Sequence, residues 1–471
     1  MLDKVCVPDV QAPGGGNVLD FSTSHYIQLI IAVILGITLF MVTFLVREQK
    51  VLAFLILLIP FQPLTSKYGS INDVLTYMVF GVYLVQGRFR ELPLFGSVAL
   101  IFLAYALSFT QALRATYLDH IIYMSAIGAN FILFYLVYNY LMRVQDWHFI
   151  WRILIILNVL IVGYSLLQAA AGGTRIQVLG IEELSFGQSR VWETGSSRLA
   201  GPFTATAMTA EAIVILMLIA AYSIIHETRP RIKILLALLI GMDSAFLVAT
   251  GNRGGIISLV LGGVLFMYAY RRELGMKNVL KITIIGSVLF VVASAIMVRY
   301  TSYNLLFERL ESTEFHGIVP DSREGWFDLW PRVIEKPVIG HGPRMQLEGE
   351  QFRRIPGFVP MPFPHSIYLY LLYTVGIFGL VAYLIFFSRV GWRYFRSRRL
   401  VSDDRFLNGL PRLGLIILAV FAVSEFRMEM FRYILHDYQQ FLFVILAVFL
   451  GLAEVLRRRV RDRRSGTTAS S

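Results

Sequence analysis

His365 directly follows Pro364, a residue favoured at helix starts, and stands at the head of a long apolar run. The positive end of a helix dipole disfavours imidazolium there. A neutral imidazole near pH 7 accepts a proton from an attacking hydroxyl. Three arginines offer complementary chemistry: Arg253 in Gly251-Asn-Arg253-Gly-Gly255, Arg198 in Arg198-Leu-Ala-Gly201-Pro-Phe203, and Arg323 in Ser322-Arg323-Glu324-Gly-Trp326. Guanidinium forks bind phosphate oxygens bidentately and keep their charge at any physiological pH. An arginine beside an apolar run is by default a snorkelling or solvated residue. Arg253 is the exception, because its flanking glycines would let backbone approach an anion closely. Glu211 and Asp243 lie inside apolar runs, where a carboxylate is costly without a partner. Each is expected to orient an arginine, bind a ligand hydroxyl or tie two helices together. Glu425 and Glu429, four residues apart with Arg427 and Arg432 nearby, read as internal Glu–Arg pairing rather than a catalytic carboxylate pair. His341, between Gly340 and Gly342, reads as a turn residue.

The elements that carry these residues are membrane helices. Of 471 residues, 56% are hydrophobic and only 16% charged, against roughly 25% charged in a soluble domain. Mean hydropathy is +0.64. A soluble globule cannot hide that much apolar surface, so the chain is a polytopic, all-α integral membrane protein. The net charge of +12 lies largely in short segments beside apolar runs, which is the pattern of cytoplasmic anchoring rather than nucleic-acid binding. Six of the eight residues 457–464 are arginine, and anionic membrane lipids are their natural partners. The lone cysteine, Cys6, excludes an internal disulfide and a cysteine metal site. No P-loop, dinucleotide fingerprint or zinc spacing is present, and no cofactor or metal is expected.

Thirteen spans of about 20 apolar residues are expected at 26–46, 51–63, 71–87, 92–113, 117–141, 149–171, 203–225, 232–250, 254–270, 279–298, 366–388, 411–426 and 437–456. The second is short. With the 47–50 segment in the cytoplasm, every alternate connection is basic, the N-terminus lies outside and the C-terminus inside. The chain then divides into an external tail (1–25), N-terminal spans (26–171), a small outer loop (172–202), central spans (203–298), a large outer loop (299–364), C-terminal spans (365–456) and a basic tail (457–471). Loops as long as 299–364 are uncommon unless functional. Within it, Asp321-Ser322-Arg323-Glu324 resembles a capping box opening a helix through Trp326 and Trp330 that stops before Pro337.

Read together, Ser322-Arg-Glu-Gly-Trp326, Pro337-Val-Ile-Gly340-His-Gly342, Pro364-His365-Ser366 and Gly376-Ile-Phe-Gly379, with the two earlier arginine motifs, resemble the O-antigen ligase/polymerase family of bacterial envelope glycosyltransferases. The resemblance covers roughly residues 195–390. It implies an inner-membrane enzyme that takes a glycan from undecaprenyl diphosphate and transfers it, in the periplasm and without a metal, to a sugar hydroxyl. The acceptor would be another lipid-linked unit in a polymerase or lipid A core in a ligase. Other proteins of envelope polysaccharide assembly are implied partners. On this reading His365 handles the acceptor proton, Arg253, Arg323 and Arg198 hold the diphosphate, and Glu211 and Asp243 support them. Polymerisation of exopolysaccharide or O-antigen repeats is favoured over ligation. Tyr368, Tyr370 and Tyr373 could stack on sugar, although an interfacial aromatic belt is their default role.

Rivals from other classes are a transporter of lipid-linked sugar and a non-enzymatic scaffold. A transporter predicts paired broken helices in two related halves, and no such halves are visible.

Overall fold

The computed structural model describes residues 45–61, 70–170, 197–203, 205–275, 325–344, 366–426 and 436–468, with short strand segments and a few single positions between them. The predicted tail 1–25 and almost all of spans 26–46 and 279–298 lie outside the described residues, as do Arg323 and His365.

The described helices are α1 (Glu48–Leu58), α2 (Ile71–Val85), α3 (Phe95–Phe109), α4 (Tyr117–Val144), α5 (Trp147–Ala170), α6 (Thr206–His226), α7 (Pro230–Ala249), α8 (Arg253–Leu274), α9 (Gly325–Glu335), α10 (Ile367–Ser397), α11 (Arg405–Ser424) and α12 (His436–Thr468). Eight of them, α4 to α8 and α10 to α12, are long and apolar enough to cross a membrane, so the chain is a multi-pass membrane protein. Helices α2 and α3 are shorter apolar helices. The expected second span is α1 followed by a 3-10 turn, Ile59–Phe61. Phe61 packs edge-on against Tyr164, ring centroids 5.9 Å apart. Tyr164 lies about 25 Å along α5 from Trp147 at ~1.5 Å per residue, so this short element still reaches well up the bundle. Three small antiparallel ribbons occupy connecting segments, β1 (Ile176–Val178) with β2 (Ile181–Phe186), β3 (Arg190–Val191) with β4 (Ser197–Arg198), and β5 (Phe315–His316) with β6 (Val319–Pro320).

Helix α12 is the axis of the bundle. Every residue from Tyr438 to Ala453 is buried, as expected of a helix that is apolar on all sides. It packs chiefly along α4. Helix α8 lies at the periphery: Gly262 meets Leu218 and Val420 on its inner side, while Ile257, Val260, Val264 and Tyr268 are exposed. In a bilayer such exposed apolar side chains face lipid.

Contacts between connections respect the two ends. At one end Glu48 pairs with Arg143 and Arg88, Glu91 with Arg458, Glu273 with Arg412 and Asp403 with Arg463. Each of these contacts joins connections that the alternation assigns to a single side. At the far end the contacts are among the other set of connections: Leu199 N–H donates to the Ala249 carbonyl, Gly201 N–H to Gln168 and Ile367 N–H to the Glu425 carbonyl.

Candidate active site

Arg253 opens α8. Helix α7 ends at Ala249, Thr250 donates its hydroxyl to the Leu247 carbonyl at 2.7 Å, and Asn252 caps α8 by accepting the Gly255 N–H at 3.2 Å. The half-exposed arginine therefore sits at a helix start, where the helix dipole also favours an anion. Of the flanking glycines, Gly255 has a packing role. A Cβ at Gly255 would lie 2.7 Å from Leu247 and 2.9 Å from Ala210. Gly255 thus lets α8 press against α6 and α7 and fixes where Arg253 emerges.

Arg198 ends β4, and the next residue, Leu199, bonds to Ala249 at 3.1 Å. The backbone of the first arginine motif is thereby fastened beside the turn that presents Arg253. Glu211, in the second turn of α6, is buried. Its Oε2 accepts the Ser424 hydroxyl at 2.5 Å, and that hydroxyl lies 3.4 Å from Ser258 Oγ on α8. Ser258 is about 7–8 Å along α8 from Arg253. The buried Tyr438 ring of α12 faces both Glu211 and Glu425. Glu425 caps α11, and its carbonyl accepts the Ile367 N–H at 3.0 Å. Ile367 starts α10, two residues after His365. One buried polar network thus ties the start of α8 to the start of α10 at the same end of the bundle. It includes Ser258 and Ser424, which sequence reasoning passed over because small hydroxyls are ordinary in apolar helices.

Asp243 stands in another contact: it is fully buried and accepts the Asn158 amide at 2.8 Å, joining α5 to α7. Helix α11 ends at Ser424, so Glu425 is its cap residue, and Glu429 lies outside the described residues. Tyr370 is buried, and Tyr373 is covered by the His341 ring, stacked at 4.7 Å. Tyr368, half-buried, donates to the Ala422 carbonyl.

The glycine motifs have a shared explanation. Helix α10 is broken at Gly376, whose φ is +66°. The break frees two carbonyls and two N–H groups, and the segment 337–342 takes all four. His341 N–H donates to Tyr373 O at 2.8 Å and Gly342 N–H to Thr374 O at 3.2 Å; Ile377 N–H donates to Pro337 O at 2.8 Å and Phe378 N–H to Val338 O at 3.2 Å. Gly340, at φ +72°, and Gly376 allow the two backbones to meet, since a Cβ on either would overlap the other chain. His341 is the expected turn residue. Its Nε2 lies 2.7 Å from the Arg332 carbonyl, and burial holds its pKa below the usual histidine value. Beyond it, Arg344 N–H donates to His120 Nδ1 at 3.0 Å and its guanidinium pairs with Asp119, clamping the segment to α4. Helix α9 ends at Glu335, before Pro337 as expected, with Leu329 and Val333 buried and Trp330 and Ile334 exposed.

A second buried network was missed. Asp73 on α2 accepts His436 Nε2 at 2.5 Å and Gln440 Nε2 at 2.8 Å, while Asn72 donates to Gln440 Oε1 at 2.6 Å. Its signals were present as Ser70-x-x-Asp73, a capping box, and as His436 and Gln440 one turn apart in an apolar helix.

No curated protein matches the chain. The stretch from α7 through the break in α10, residues 234–384, matches the family model described as O-antigen ligase, and this segment of a multi-pass membrane protein therefore belongs to the O-antigen ligase/polymerase family of glycan-transferring enzymes.

Proposed function

We propose that the protein transfers a glycan from undecaprenyl diphosphate to a sugar hydroxyl on the periplasmic face of the bacterial inner membrane, and that it polymerises exopolysaccharide or O-antigen repeat units. The observation that carries this reading is the buried Glu211–Ser424–Ser258 network, which links the helix start bearing Arg253 to the helix start that follows His365. Arg253 and the α8 N-terminus, with Arg198 and Arg323, hold the diphosphate. His365 accepts the proton of the acceptor hydroxyl as its oxygen attacks the anomeric carbon. The anomeric C–O bond breaks on the opposite side, inverting the centre, and the electron pair leaves on undecaprenyl diphosphate. Arginines stabilise that growing charge, so the step uses neither metal nor nucleotide. Glu211 positions the two helix starts, and Asp243 steadies α7, which leads into Arg253. Ligation to lipid A core would use the same groups with another acceptor.

A single broken helix among the described residues gives a transporter reading something to stand on. The freed backbone groups of α10 are, however, bonded to the chain's own segment 337–342 rather than left for a solute.

The test is glycan transfer by purified, reconstituted protein with a lipid-diphosphate-linked repeat unit. H365A and R253A should each reduce transfer by roughly 100-fold or more while remaining inserted and folded. Wild-type rates in both variants would sink the assignment. On gels of cellular glycans, losing long chains while keeping single units marks a polymerase, and losing glycan from lipid A marks a ligase.

A further inference from the structure

At the arginine-rich end, far from Arg253, the last turns of α10 border a cavity of about 560 Å³. Its walls include Glu91, Tyr138, Arg393, Arg396, Glu454 and Arg457. The two acids are already neutralised: Glu91 accepts Arg458 at 2.7 and 2.8 Å, and Glu454 accepts Arg457 at 3.0 Å. Arg393 and Arg396 make no ion pair among the described residues, so the cavity keeps an excess of two positive charges. They are three residues apart and share one face of the helix, and Arg393 and Tyr138 both line the cavity. Arginines in the last turn of a membrane helix ordinarily snorkel to water and complement the helix dipole. These two instead border a shared concave site with a buried phenol in its wall.

The rim is apolar. Leu92 is 43% exposed and Trp392 62%, and the Trp392 ring lies parallel to Phe395. An exposed Trp near the end of a membrane helix marks headgroup depth. A ligand that suits both parts carries phosphate on an apolar stem, and basic pockets between helices at the cytoplasmic side suit anionic headgroups. We propose that this cavity binds the phosphate of an anionic glycerophospholipid, with Arg393 and Arg396 on the phosphate oxygens and Leu92, Pro93 and Trp392 along the first part of the acyl chains. This site is independent of the transfer reaction, because none of its residues belongs to the network around Arg253.

The full-length protein in detergent can be titrated with dihexanoyl phosphatidylglycerol, dihexanoyl phosphatidylcholine and inorganic phosphate, with binding read by thermophoresis. Phosphatidylglycerol should bind roughly tenfold or more tighter than phosphatidylcholine, since only the former leaves its phosphate charge uncompensated. R393A/R396A should lose that preference, R393K/R396K should keep part of it, and R399A, outside the cavity, should match wild type. Should the double alanine variant melt early, R396Q carries the same comparison at an exposed side chain. Equal binding of the two lipids, or an unchanged preference in a folded double variant, would overturn the site. Inorganic phosphate binding as tightly as phosphatidylglycerol would overturn the lipid as its source and assign the cavity to a soluble phosphorylated ligand.

Discussion

Asp73 does two jobs with one carboxylate. Oδ2 accepts the Ser70 N–H in a capping box, and Oδ1 holds His436 and Gln440 of the central helix. Removing one partner from a buried ionic or hydrogen-bonded set leaves the others uncompensated, at a cost of about 3–5 kcal/mol. D73A should therefore lower the melting temperature in detergent by several degrees, with D73N milder. D73A/H436A should recover part of the loss, giving a coupling above roughly 0.5 kcal/mol in a double-mutant cycle; strict additivity would show that the pair does not act as one. At this scale the sequence conveyed residue types well. Arg253 at a turn, His341 as a turn residue and the buried acids Glu211 and Asp243 were legible from local pattern and the expense of burying charge. Their partners were not. Ser424 for Glu211 and His436 for Asp73 lie 213 and 363 residues away, and no local spacing encodes such pairings.

Spans 203–225 and 232–250 agree closely with Thr206–His226 and Pro230–Ala249, because hydropathy and helix end together there. The prediction stops short where a helix outlasts its apolar run. Span 366–388 is the front of a helix that continues to Ser397, and 437–456 of one that continues to Thr468. Hydropathy reports where the bilayer ends, while backbone hydrogen bonding continues into water. The break at Gly376 was equally invisible, since an apolar run reads the same whether or not one peptide turns over. Its glycine should be indispensable. G376A combines a positive φ with overlap against Val338, and should destabilise by at least about 2–3 kcal/mol. G263A, inside α8 with no atom within 4 Å of the added carbon, should change stability by less than about 1 kcal/mol. Melting curves that rank the two alike would remove the break from its structural role.

Among the described residues the charge alternation and the ion pairs agree: each pair between connections joins two that are expected on the same side. The orientation itself is testable because Cys6 is the sole cysteine. In a C6A background, R114C in the exposed turn before α4 should react with an impermeant maleimide in intact spheroplasts, and R399C only after permeabilisation. The reverse labelling would invert the topology. What composition could not foretell is which helix lies central. Helices α8 and α12 are both apolar enough to span, yet α12 is enclosed and α8 faces outward, a difference set by the neighbours each one finds.

The docking of Pro337–Gly342 into the gap at Gly376 also limits how α9 can move. Prising that stretch loose would strand four peptide groups in apolar surroundings, each at about 1–3 kcal/mol. The stretch therefore works as a rivet: any displacement of α9 must swivel about this point.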